Sequence, residues 1–306
     1  MQPPKASRKS TGLEVVNIRK KFGNREVLRG VSFKAAPGDI VSVIGPSGGG
    51  KTTLLRCILG EITPDRGHIR IDGQDVTRVK VWKRGVGIVY QSYALFPHMT
   101  VEENIAYGLR VRHRPAEEVA TRVHELLELT HMSGKEHMFP DRLSGGEKQR
   151  VALSRALAVQ PNILLLDEAF TALDATTRAK VLQEVRAIIS HFKLTTLLIT
   201  HDQEEAFLFS RHVLVLNDGK VVVSGDPEHV MAHKHPFIQD FVKMALFEKA
   251  EVKRDPKGGL YVKIQDGSRI PIATPGVQEG DIVQVMIKKG TATETQRIEV
   301  WPRENR

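Results

Sequence analysis

The stretch GPSGGGKTT, residues 45–53, restricts the possible folds of this chain more than any other. The apolar run IVSVI leads into it and the helix-periodic LLRCIL leaves it, so the glycines sit where a strand turns into a helix. Free N–H groups and the positive end of a helix dipole converge at such a turn, making a seat for phosphate. The spacing is G-x-x-x-x-G-K-[ST], a nucleotide cradle. Gly45, Pro46, Ser47, Gly48, Gly49 and Gly50 are expected to wrap phosphate oxygens. Lys51 then reaches the outer phosphates, the Thr52 hydroxyl ligates Mg²⁺ and Thr53 completes the cradle as the helix begins.

Three more apolar runs end in polar residues: GVGIVYQ at Gln91, ILLLDE at Glu168 and TTLLITH at His201. Unbroken runs of this length suit strands covered on both faces, as in a parallel α/β sheet. Ligands of such sheets sit beyond the carboxyl ends of the strands, so four polar tips are expected along one edge. Asp167 is placed as a partner for Mg²⁺, and Glu168 as the group that polarises an attacking water. His201 is placed to donate a hydrogen bond to the terminal phosphate and orient that water, and Gln91 to touch metal or water.

A second seat lies in LSGGEKQR, residues 143–150. Ser144 and Glu147 form an S-x-x-E capping box, which accounts for a helix start. It does not account for Gly145 and Gly146, which weaken a helix unless something approaches the backbone closely. One nucleotide is already satisfied by residues 45–52. The second seat therefore points to the nucleotide of a second copy, in a head-to-tail dimer holding two ATP molecules.

Around these motifs the chain divides into an N-terminal tail (residues 1–12), a main domain (13–241) and a small β-rich domain (242–306). Between about 100 and 160 the apolar spacing is helical, a helical insertion hung from the sheet, closed by Pro161. The last segment alternates in short runs, GLYVKI, SRIPIAT, DIVQVMIKK and RIEVW, split by Gly, Pro and Asp. The first residues are polar and basic and are expected to form a frayed tail rather than a signal peptide, and no run of roughly eighteen apolar residues could span a bilayer. A membrane role is thus expected through partners. The net charge is +9, but scattered, which argues against a nucleic-acid partner. The lone cysteine, Cys57, rules out a disulfide within the chain and points to a reducing compartment.

Taken together, these motifs resemble the ATP-binding subunit of an ABC transporter, over residues 13–241. Glycine loop, Gln91 loop, LSGGE, Asp-Glu strand, the TALD of residues 171–174 and His201 stand in that family's order. The resemblance implies a P-loop NTPase of ABC type whose dimer closes on ATP, opens on hydrolysis and moves attached membrane subunits. It makes Phe22 the aromatic that stacks on adenine and Gln91 the coupling residue, and puts Asp174 near the dimer seam. SYALFPHMTVEENI resembles the importer type, which implies two permease subunits, an external solute-binding protein and a peripheral place on the cytoplasmic face of the membrane. The last strands resemble the OB-like domain of importers for polyamines, ferric ion, sugars or oxyanions, with polyamine or ferric ion the expected solute. Departures are Ala169 for a common proline, Thr171 for serine and Gly49 for a frequent serine. An export subunit is disfavoured by the importer-like segment and the β tail. A soluble ATPase acting on nucleic acid is disfavoured by the absence of a second ATPase unit or a long coiled-coil insertion.

Overall fold

The computed structural model describes residues 12–171, 175–242, 247–255, 258–263, 269–272, 278–286 and 300–301. Its contacts divide the chain into two units, residues 1–227 and 228–306. The division falls ahead of residue 242 because the change in composition marks where strands resume, not where contacts end.

In the first unit, β1 (Leu13–Phe22) and β2 (Arg25–Ala35) form a hairpin, followed by β3 (Ile40–Ile44), α1 (Lys51–Leu59), β4 (Arg66–Ile71), β5 (Gln74–Asp75) and β6 (Val86–Val89). The helical stretch holds α2 (Val101–Val111), α3 (Ala116–Leu129) and α4 (Gly145–Ala158). After it come β7 (Ile163–Asp167), α5 (Ala175–His191), β8 (Thr195–Ile199), α6 (Gln203–Phe209), β9 (His212–Asn217) and β10 (Lys220–Gly225).

Six strands pair in the order β10-β9-β3-β8-β7-β6. All neighbours are parallel except β9 and β10. Both faces are covered, which is why these strands read as unbroken apolar runs. On β7, Leu164 and Leu166 join a core with α2, α3, α4 and α5, while Ile163 and Leu165 join a core with β1, β2, β3 and α1. That second core is roofed by an antiparallel sheet, β2-β1-β4-β5, an element the apolar runs did not predict.

α4 starts at the expected box: the Ser144 hydroxyl accepts from the Glu147 N–H, and the Glu147 carboxylate accepts from the Ser144 N–H. Thr100 and Glu103 start α2 in the same way. Each box satisfies N–H groups that a helix start leaves unpaired. Among the described residues no helix is long and apolar enough to cross a membrane.

Two short helices stand at the head of the second unit, α7 (Pro227–Ala232), all but its first residue in that unit, and α8 (Pro236–Phe241). Strands β11 (Phe247–Arg254), β12 (Leu260–Lys263), β13 (Arg269–Ile272), β14 (Ile282–Met286) and β15 (Val300–Trp301) follow. They form one antiparallel sheet in the order β13-β12-β11-β14-β15, with Ala250, Val252 and Val262 buried.

Candidate active site

Register brings the polar tips to one edge. Val43, Ile199 and Asp167 face one another across β3, β8 and β7, and Val89 of β6 faces Leu166. Gly45 and His201 therefore each stand two residues beyond one row, Glu168 one residue beyond it, and Gln91 two beyond Val89.

The cradle needs its glycines for reasons visible in its surroundings. A Cβ on Gly45 would lie 2.0 Å from the Leu216 carbonyl oxygen, so no side chain fits there. Gly48 has φ +78 with no atom within 4 Å of an added Cβ: left-handed backbone open on its outer side, where a phosphate can approach the N–H groups. The buried Lys51 ammonium donates to the Gly45 carbonyl at 2.7 Å and the Pro46 carbonyl at 2.9 Å. Burial lowers its pKa, opposed by the charges of Glu168 and Asp167. Ser47, Gly48 and Thr52 are exposed, and Thr53 is half-buried.

Asp167 is held above the ordinary carboxylate range by burial first and by the adjacent Glu168 charge second. Glu168 leaves the strand at φ 48, with its N–H donating to the Ile199 carbonyl at 2.8 Å. The Thr171 hydroxyl donates to the Glu168 carbonyl at 2.7 Å. The Glu168 carboxylate Oε1 lies 3.2 Å from His201 Nδ1. Two carboxylates crowded at a half-buried tip beside one ammonium make a place that gains from an added cation. Thr52, Asp167 and Gln91 carry oxygen donors of the kind Mg²⁺ takes, so the residues present fit both nucleotide phosphate and metal.

Gly45, Lys51, Asp167, Glu168 and His201 are thus assembled at one edge. Gln91 is exposed in the turn after β6. Phe22, at the end of β1, is 49% exposed, with the Lys20 ammonium 5.6 Å from its ring centre; a ring this bare at the end of a strand is free to stack. In the second seat Ser144 and Gly145 are exposed, Gly146 and Glu147 are half-buried, and Glu147 pairs with Lys135. Asp174 lies outside the described residues.

One cluster has no counterpart in the sequence reading. Arg178 of α5 pairs with Asp202 at 2.7 Å and lies 3.7 Å from Glu205, both just after His201 at the start of α6. The Thr200 hydroxyl donates to Glu205 at 2.6 Å. Glu205 is buried, and burial pushes its carboxyl up to about 7. Asp202 also caps α6, accepting from the Glu204 and Glu205 N–H groups. The only local signal is the N-cap aspartate; the arginine comes from another element.

Residues 28–171 match the family model described as ABC transporter. The chain is 44% identical over 227 residues to the sulfate/thiosulfate import ATP-binding protein CysA of Synechocystis sp., covering 74% of this chain and 64% of that protein. It is 47% identical over 235 residues to the protein of the same name from Caulobacter vibrioides, covering 75% and 69% respectively. The match thus spans about two thirds of each relative's length. Among solved structures, the ATP-binding cassette MJ0796, in a dimeric post-hydrolysis state bound to ADP and Pi, is 31% identical with a TM-score of 0.62, covering 70% of this chain and 98% of that one.

Proposed function

This chain belongs to the ABC transporter family, and on that premise we propose that it is the ATP-hydrolysing subunit of an importer, acting in a head-to-tail dimer beneath membrane subunits. The observation that carries the reading is the meeting of Glu168 and His201, 3.2 Å apart, at the same sheet edge as Lys51 and the glycine cradle. A carboxylate oriented by an imidazole is placed to take a proton from an attacking water. Lys51, drawn from the cradle carbonyls onto the outer phosphates, stabilises charge that develops on the leaving group. Mg²⁺, when bound, neutralises phosphate charge, and Thr52, Asp167 and Gln91 are the residues that would hold it. Phe22 stacks on the base.

The second seat completes the site of another copy: Ser144, Gly145, Gly146 and Glu147 offer a capped helix start, partly exposed, to a phosphate. The dimeric state of the similar cassette supports this arrangement. Permease subunits, an external solute-binding protein and a peripheral place at the cytoplasmic face follow from the importer reading, and residues 242–306 are its accessory domain. For the solute, the names of the relatives favour an oxyanion such as sulfate over the polyamine or ferric ion expected from the sequence.

The test is the mass in solution of Glu168→Gln with and without Mg-ATP. The expected result is a monomer that becomes a dimer on adding Mg-ATP. A chain that binds ATP and stays monomeric would remove the second seat's role. For the solute, sulfate-dependent ATPase activity in vesicles carrying the complete transporter is expected, and stimulation by polyamine alone would reverse that assignment.

A further inference from the structure

We propose that Arg155 is a positioning residue that fastens the loop beyond Gln91 to the helix carrying the second glycine seat, so that engagement of that seat by a nucleotide is felt at Gln91; this rests on the head-to-tail reading above. Arg155 lies on α4 about three turns from Ser144, roughly 16 Å along one rigid helix. Its guanidinium donates to the Ala94 carbonyl at 2.7 Å and the Tyr93 carbonyl at 2.9 Å. It also lies 5.2 Å from the centre of the Phe96 ring.

The loop that it holds is strained. Tyr93 and Ala94 are successive non-glycine residues at φ 60 and φ 46, a conformation that surroundings must enforce. Arg155 binds both carbonyls with one planar fork, which a lysine ammonium cannot reproduce. From the other side Asn104 of α2, fully buried, accepts from the Phe96 N–H at 2.9 Å and donates to its carbonyl at 3.1 Å. Phe96 in turn meets the Tyr107 ring of α2 at 4.5 Å between centres.

Residues 93–96 therefore belong mechanically to the helices, although only a short turn, closed by the Tyr93 N–H donating to the Tyr90 carbonyl at 2.9 Å, separates them from β6. Gln91 and Ser92, both exposed, are the short link between a loop gripped by α2 and α4 and the tip of β6. A shift of α4 against the tip of β6 reaches Gln91 and Ser92 through this loop, and Arg155 is the grip on the α4 side.

The experiment uses the full chain carrying Glu168→Gln and follows amide hydrogen exchange of residues 92–96 with and without Mg-ATP, beside the mass in solution. In that parent, Mg-ATP should give the dimer and slow exchange in the loop. Adding Arg155→Ala should leave the ATP-driven dimer intact, while the loop exchanges roughly tenfold faster and no longer responds to ATP. Arg155→Lys, which keeps charge and most of the bulk, decides the matter should the alanine variant not fold. It too should dimerise without the loop's response. In chains with Glu168 intact, kcat should fall while KM for ATP holds. A loop that still slows with ATP in a folded Arg155 variant overturns the proposal and leaves the dimer reading standing. A parent that binds ATP and remains monomeric overturns both.

Discussion

Glu168 occupies a left-handed backbone position, which costs a non-glycine residue about 1–3 kcal/mol, and its N–H bond to Ile199 and the Thr171 hydroxyl hold it there. Glutamine keeps that backbone and loses the basic oxygen. We expect Glu168→Gln to bind Mg-ATP normally and to turn over roughly 10²- to 10⁴-fold more slowly in single-turnover phosphate release. Glu205 gives a pH prediction. Its carboxyl is raised from 4.5 to about 7 by burial, so between those values the folded chain holds a proton that the unfolded chain releases. Stability must then fall as pH rises through that window, by up to about 3 kcal/mol. Glu205→Gln should flatten this part of the profile, seen as a smaller loss of melting temperature between pH 5 and pH 8 in a buffer series. The contrast between these two residues says what a sequence displays at this scale. Glu168 is visible because an apolar run points at it and a cradle precedes it. Glu205 reads as an ordinary first-turn carboxylate of a helix, because its burial and its Arg178 neighbour come from a different element.

At the scale of elements, helix starts were readable and sheet partners less so. The Ser144 and Glu147 spacing is local, and both of its hydrogen bonds are made. The antiparallel sheet β2-β1-β4-β5 stayed hidden because β1 slips register against β2 between Val15 and Ile18, and again further on, breaking the period-two alternation by which a half-buried strand is recognised. Arg84 joins these layers. It is 3% exposed, and its guanidinium donates to the carbonyls of Val79, Cys57, Ile58 and Thr77, closing the end of α1 against the turn before β6. Arg84→Met fills the space and leaves those carbonyls without a donor. A loss of about 3 kcal/mol in urea unfolding is expected, with ATP affinity of the folded fraction unchanged.

For the whole molecule, a site finished by a second copy makes turnover a property of pairs. Specific ATPase activity should rise with chain concentration at low concentration and level off once dimers saturate, measured as phosphate release per chain across a dilution series. Gly146→Asp, placing a charge in the second seat, should lower activity while leaving the chain's own cradle able to bind ATP. The parallel sheet, its helical insertion and the β-rich tail were all readable in outline, because each has its own period and punctuation. Their contact boundary was not, since α7 and α8 precede the change in composition and belong to the second unit.

The place of β3 in the sheet has a consequence for how the chain is made. Ile40 pairs with Thr196, and Ile44 with Val215, so the strand feeding the cradle has neither sheet neighbour until almost all of the first unit has been synthesised. Such distant pairings make folding slow and leave apolar strands bare on the ribosome. The cradle itself closes against the Leu216 carbonyl. A nascent chain halted anywhere before β9 thus carries every cradle residue but lacks the Leu216 carbonyl against which Gly45 packs and the Gly219 N–H that donates to the Gly49 carbonyl: the last supports of the nucleotide seat arrive late, with β9 and the turn after it.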